Sequence, residues 1–224
     1  MSASPTRLPI ASSNETFEVK RIICVGRNYA EHTKEMGHDP DREPPFFFFK
    51  PVSALLPANT PFQLPAFSRE IHHEVELLVA VNQKGYQLTP KQAAQSVAGF
   101  GVGLDMTARD VQNEAKKLGR PWDISKGFDG SAICSSIEKF PYPHMHNYQA
   151  IRCYRNGDIV QQSNLSSMIW PVPELISAFS QFMNIQPGDL FFTGTPAGVG
   201  EVKTGDSLRA EIDGMSVDLA VDIA

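Results

Sequence analysis

The stretch His72-His73-Glu74-Val75-Glu76-Leu77-Leu78-Val79-Ala80-Val81 sets two carboxylates at alternate positions at the head of an otherwise apolar strand. Successive strand side chains point to opposite faces. Val75, Leu77, Val79 and Val81 therefore share one side, and Glu74, Glu76, Leu78 and Ala80 share the other. Both sides turn apolar beyond Glu76, which is the pattern of a strand covered on both faces. The Glu pair is read as lining the mouth of a pocket. Like charges on neighbouring i, i+2 positions repel unless a cation or a shared proton lies between them, and a hard divalent metal is the simplest answer. For an isolated Glu-x-Glu, a solvated strand end is the competing reading.

A third acid decides between them. Gly99-Phe100-Gly101-Val102-Gly103-Leu104-Asp105 reads as an apolar strand whose glycines allow close backbone approach, and it ends in an aspartate. Thr107 with Asp110 three residues later has the form of a capping box, which predicts a helix over 107–118 that stops at Gly119. Asp105 is thus placed at a strand-to-helix junction. Glu74, Glu76 and Asp105 form an all-oxygen donor set that suits magnesium or manganese, and zinc lacks a Cys or His set here.

The 224 residues are enough for one large domain with a substantial core. A net charge of -5 and the absence of a basic run leave no electrostatic footprint for nucleic acid or an anionic membrane. Cys24, Cys134 and Cys153 are odd in number and widely spaced, which fits structural thiols in a reducing compartment. No apolar run reaches membrane-spanning length and the first twenty residues have no signal-peptide core, so cytoplasm is the expected location.

Along the chain, residues 1–16 read as an irregular arm leading into the strand Arg21-Ile22-Ile23-Cys24-Val25. Asn28 is placed to cap a short helix through Met36, with Glu31 at the capping-box position. Residues 38–45 are polar and proline-rich, so that helix and loop together resemble a mobile flap. Phe46–Phe49 return to the core, and the prolines between Pro51 and Pro65 indicate a surface excursion. Lys126 is expected in a loop between Trp122 and Phe128. Arg155-Asn156-Gly157 is a hairpin signal, and Leu175, Ile176, Phe179 and Phe182 form one stripe of a helix over 173–183. No internal repeat is present, and the element order points to an α+β domain dominated by antiparallel or mixed sheet.

Other chemistry is carried more weakly by the residues alone. His32 and Glu35 fall on one face of their helix and form either an acid-base pair or a solvated surface. Lys126 is either a carboxylate anchor or one more loop lysine. His72 and His73 are structural neighbours of the Glu pair. Thr193-Gly194-Thr195-Pro196-Ala197-Gly198-Val199-Gly200 offers backbone N–H groups as an anion cradle, although turn chemistry alone also explains its glycines. The Gly-Lys-Ser/Thr ending of a P-loop and the Gly-x-Ser-x-Gly elbow of a serine hydrolase are both missing.

Taken together, Gly26-Arg27-Asn28-Tyr29-Ala30-Glu31-His32, Phe49-Lys50-Pro51, His73-Glu74-Val75-Glu76-Leu77, Leu104-Asp105-Met106-Thr107-Ala108-Arg109-Asp110-Val111-Gln112, Lys126-Gly127-Phe128-Asp129 and Thr193-Gly194-Thr195-Pro196 resemble, in order, the fumarylacetoacetate hydrolase family. The compact length resembles its single-domain acylpyruvate hydrolase and oxaloacetate decarboxylase branch. The resemblance implies a mixed β-roll over residues 21–224 behind an N-terminal arm of residues 1–20, a Mg or Mn site and a homodimer. It makes Glu74, Glu76 and Asp105 the metal ligands, His32 and Glu35 a water-activating dyad on a lid, and Lys126 the charge that polarises the oxo-acid. Arg27, Gln112, Thr195 and Lys50 are implied as further substrate contacts.

The activity implied is metal-dependent carbon-carbon cleavage of acylpyruvates such as fumarylpyruvate or acetylpyruvate to pyruvate and a carboxylic acid, with oxaloacetate decarboxylation at the same site. The rival readings are an isomerase or decarboxylase of 2-hydroxy-dienedioates from aromatic catabolism and a non-catalytic, metal-dependent dicarboxylate binder.

Overall fold

In the computed structural model, Val75–Val81 is buried at every position and runs through the middle of a seven-stranded mixed sheet. The order across the sheet is Phe46–Lys50, Arg21–Gly26, Asp189–Phe192, Val75–Val81, Val97–Asp105, Ala132–Cys134 and Leu55–Pro57. The structure describes residues 6–31, 43–140, 142 and 149–224. Two pairings are parallel, Asp189–Phe192 with Arg21–Gly26 and Ala132–Cys134 with Leu55–Pro57, and the remaining neighbours are antiparallel. The face parity expected from the sequence holds. Val75, Leu77, Val79 and Val81 pack with Phe100, Val102 and Leu104 in one cluster, whereas Leu78 and Ala80 join Ile22, Cys24, Leu190 and Phe192 in another.

The glycines of Val97–Asp105 all lie on the carboxylate face, since Gly103, Gly101 and Gly99 stand opposite Glu76, Leu78 and Ala80. Each faces a crowded neighbour. A Cβ at Gly103 would lie 2.7 Å from Leu78 Cδ2, and one at Gly99 would lie 2.4 Å from the Glu138 carbonyl oxygen. Close approach is thus the reason for these residues.

A four-stranded antiparallel sheet, ordered Asp158–Asn164, Ala150–Arg155, Ser207–Ile212, Asp218–Asp222, closes over the other face. Its Ile151, Cys153, Leu208, Ala210, Leu219 and Val221 belong to the same core as Val75 and Leu77. The hairpin signal is realised as a two-residue loop, Asn156 at φ 55° and Gly157 at φ 93°, the sense of turn that matches strand twist. With few helices and a mixed, curled sheet system, the molecule is α+β.

Several sequence expectations are corrected. The N-terminal arm is not irregular where described: Arg7–Pro9 pairs with Thr16–Glu18, and Leu8 and Val19 are buried in the core. The Pro51–Pro65 stretch is no surface excursion, because it contains the sheet's outer strand Leu55–Pro57 and the buried Phe62. Phe46–Lys50 occupies the opposite edge, so Phe46 and Phe49 stay partly exposed. The late helix spans Val172–Ser180 and buries Leu175, Ile176 and Phe179, but Phe182 lies beyond its end and is 74% exposed. No helix among the described residues is long and apolar enough to cross a membrane. Cys24, Cys134 and Cys153 are free and buried, as expected of structural thiols.

Candidate metal centre

Glu74 sits at a break in the quoted strand, between Ile71–His73 and Val75–Val81, rather than within one continuous strand. Ile71–His73 leaves the large sheet and joins a three-stranded one with Thr107–Ala108 and Gly200–Glu201. Val97–Asp105 makes the same transition into Thr107–Ala108. Both crossing strands therefore place an acid at the crossing, and the Asp105 N–H donates to the Glu74 carbonyl at 2.9 Å. Glu76, one pleat further, projects from the same face. The carboxylate oxygens of Glu74, Glu76 and Asp105 lie within 4.8 Å of one another, and all three residues are buried. This is the set expected from the sequence.

Three cations hold two of these acids, Glu74 and Asp105. Lys126 Nζ donates to Glu74 Oε2, Asp105 Oδ2 and Thr107 Oγ1, each at 2.7 Å. Lys50 Nζ stands 2.7 Å from Asp105 Oδ1 and also donates to Ser131 Oγ at 3.0 Å and to the Lys126 carbonyl. Arg109 Nη2 donates to Glu74 Oε1 at 2.5 Å, while its Nη1 donates to Gln112 Oε1 at 2.6 Å. Glu76 differs from the other two, since among the described residues no cation pairs with it. It accepts the Gly194 N–H at 2.6 Å.

Burial, reinforced by Asp105 and Glu74, pushes the Glu76 carboxyl well above the usual carboxylate range. Burial opposes the charge of Lys126, but Asp105 and Glu74 outweigh it and raise its pKa. A closely spaced, buried, all-oxygen set with one acid lacking a cation fits a hard divalent ion.

The loop Thr193–Gly200 turns one backbone N–H, that of Gly194, toward the chain's own Glu76 carboxyl. Gly194 adopts φ 97°, and a Cβ there would lie 2.6 Å from Asn28 Cβ, so glycine is required. The helix that Asn28 is expected to cap lies mostly outside the described residues. The Asn28 amide is buried, donating to Thr193 O at 2.7 Å and accepting from Trp170 N at 2.8 Å, which fixes the loop. Behind it, Gln161 from the smaller sheet ties three pieces together. Its Oε1 accepts from Val75 N at 3.0 Å and lies 2.9 Å from His73 Nδ1, and its Nε2 donates to Thr195 Oγ1 and Pro196 O, both at 2.9 Å.

The expected capping box is absent. The helix spans Arg109–Lys117 with Ala108 as its N-cap, and the hydroxyl of Thr107, in a strand, accepts from Lys126 Nζ and donates to Asp105 O instead. Asp110 accepts from Ser68 Oγ at 2.6 Å and Arg69 N at 3.0 Å, pinning the preceding loop. Lys126 ends a short helix, Asp123–Lys126, rather than lying in a loop, and it is buried.

A cleft opens above the acids and brings together Arg27, Gln112, Lys126 and Thr195, the residues that the family resemblance implies. Lys50 lies beneath it, against Asp105, and does not line it. His32 and Glu35, like most of the expected flap, lie outside the described residues. Sequence reasoning missed Arg109, Lys116, Phe46, Phe48 and Trp122, which also line the cleft. The signal for two of them was present: Arg109, Gln112 and Lys116 follow the i, i+3, i+7 spacing of one helix face. Lys116 Nζ lies 5.3 Å from the centre of the Trp122 ring, and burial followed by Arg109 pulls its pKa down to about 8. Arg27 holds a left-handed φ of 58°, and its guanidinium lies 5.7 Å over the Phe46 ring.

Comparison with known proteins agrees with this geometry. Residues 21–219 match the model for the fumarylacetoacetate (FAA) hydrolase C-terminal family. The rat oxaloacetate tautomerase FAHD1, mitochondrial, is 45% identical over 88% of this chain and 88% of its own length. The mitochondrial oxaloacetate decarboxylase of Dictyostelium discoideum is 42% identical over 91% of this chain and 94% of its own length. The crystal structure of fumarylpyruvate hydrolase from Pseudomonas aeruginosa, in complex with Mn2+ and pyruvate, superposes with a TM-score of 0.94 at 41% identity, covering 100% of this chain and 97% of that one. With the family model spanning residues 21–219 and relatives above 40% identity over most of its length, the chain belongs to the fumarylacetoacetate hydrolase family.

Proposed function

We propose that the protein is a Mg- or Mn-dependent enzyme that cleaves acylpyruvates to pyruvate and a carboxylic acid and that decarboxylates oxaloacetate at the same site. The observation that carries this reading is the buried cluster of Glu74, Glu76 and Asp105, with Lys126 bonded to two of them. Those three acids would hold the cation, which when bound polarises the 2-oxo acid. Lys126 places a permanent positive charge where the enolate oxygen of pyruvate develops negative charge, in a site shielded from water. Arg109, fixed by Glu74 and Gln112, and Thr195, fixed by Gln161, present donors along the cleft wall.

His32 and Glu35 take a proton from the attacking water as its oxygen adds to the distal carbonyl. The carbon-carbon bond then breaks, the acyl group leaves as the carboxylic acid, and the enolate carbon receives a proton to give pyruvate. Oxaloacetate loses carbon dioxide to reach the same enolate without water attack, so that reaction needs no dyad. This division separates an enzyme from a passive dicarboxylate binder. The reading includes a homodimer, and a cytoplasmic location on the strength of three free, buried thiols.

Turnover of acetylpyruvate, fumarylpyruvate and oxaloacetate is measured with Mg or Mn, with and without a chelator. Chelator-sensitive cleavage is expected, and His32→Ala should abolish acylpyruvate cleavage while sparing much of the decarboxylation. Activity that resists complete metal removal would overturn the reading.

A further inference from the structure

Among the described residues, the charges that line the cleft do not balance. Arg27, Arg109, Lys116 and Lys126 face it along with three carboxylates, and a divalent cation would add two further positive charges. Lys50, pressed against Asp105 from behind, increases the excess. A substrate with a single carboxylate leaves most of this field unanswered.

The cations are also unequal in their duties. Lys126 and Arg109 are held by Glu74, and Lys126 also by Asp105. Lys116 has no carboxylate partner among the described residues. It rests against the face of Trp122, whose ring also meets Phe46 at 5.3 Å and Phe48 at 5.9 Å. The mouth of the cleft is therefore an aromatic wall with a cation set upon it. Along the helix Arg109–Lys117, Lys116 stands two turns from Arg109, about 10 Å of axial rise. Lys116 therefore stands on the same helix face as Arg109 and Gln112, further along the cleft from the group that holds Glu74.

We propose that Lys116, with Arg27 beside it, is a specificity-determining anchor for a second, distal carboxylate on the acyl chain, so that the favoured substrates are long 2-oxo diacids rather than short acyl pyruvates. This rests on the acylpyruvate reading of the cleft and names the class of acyl group it takes. The flat chain lies against Phe46, Phe48 and Trp122, and its terminal carboxylate meets the Lys116 ammonium. A half-buried ammonium without a counter-charge gains more from such a partner than a solvated one does.

The test uses Mn-loaded wild type, Lys116→Met and Lys116→Arg. Calorimetric titration with pyruvate and with 2-oxoadipate reads binding without turnover, and kinetics on acetylpyruvate and fumarylpyruvate read it in catalysis. Wild type should prefer 2-oxoadipate, Lys116→Met should cut that preference by about tenfold, and Lys116→Arg should restore most of it. The fumarylpyruvate-to-acetylpyruvate ratio of kcat/KM should fall by a similar factor, mainly through KM. Unchanged ratios in Lys116→Met, or a wild type that binds pyruvate as well as the diacid, would overturn the proposal. A wild type that cleaves both acylpyruvates with ratios indifferent to Lys116 keeps the activity and loses this anchor. One that cleaves neither but favours the diacid through Lys116 keeps the anchor and loses the activity.

Discussion

Lys126 shows how one side chain serves two states of the site. Its ammonium bridges Glu74 and Asp105, so it neutralises two acids that a metal would also claim. Removing one partner from a buried ion pair leaves charge uncompensated, which costs about 3 kcal/mol. Lys126→Met should therefore destabilise the metal-free protein by about 3 kcal/mol in urea unfolding. It should bind Mn at least as tightly, because a competing positive charge is gone, yet lose turnover by at least about a hundredfold. Calorimetry paired with steady-state kinetics checks both halves, and weakened Mn binding would contradict the assigned role. The sequence made Glu74, Glu76 and Asp105 legible because charge at the head of an apolar strand demands an explanation. It left Lys126 ambiguous, since burial of a lysine cannot be read from neighbours that are themselves distant in the chain.

At the level of elements, the site exists because two adjacent strands leave the large sheet together and drop an acid each at the exit. A strict alternation of side chains conveys the faces of Val75–Val81 but not this exit, so the quoted segment reads as one strand when it is two. The misplaced capping box has a similar cause. Thr107 and Asp110 have the right spacing, but a lysine nineteen residues away and a loop forty residues earlier compete for their oxygens. Gln161 is the joint between the two sheet systems, and nothing local marks it. Gln161→Leu strands the Val75 N–H and the His73 ring in the core and frees the Thr195 loop. A loss of about 3 kcal/mol in chemical denaturation is expected, together with a raised KM for the oxo-acid. A loss under about 0.5 kcal/mol would show that the joint carries no strain.

For the whole molecule, the acid cluster links ligand binding to stability. An ion that binds the folded form at a hundred times its dissociation constant adds about 2.7 kcal/mol. For a chain of this size the thermal midpoint should rise by about 5–10 °C with saturating Mn. Glu76→Gln should remove most of that rise, and a chelator should reverse it. Calorimetric scans of the two proteins decide the matter, because equal shifts would place the ion elsewhere. The α+β class was legible from its parts, since alternation, hairpin and glycine-lined strand each survive in the structure, whereas the roll came from the family resemblance and the sheet's outer strand at Leu55–Pro57 was hidden by prolines.

The three interior cysteines carry a practical consequence. Cys24 and Cys134 report on one side of the large sheet and Cys153 on the other core, and burial pushes the Cys153 thiol up to about 12. No alkylating reagent reaches them without an opening of the surrounding layer. The pace at which each becomes tagged is thus a built-in clock for separate breathing motions, with no engineered probe required.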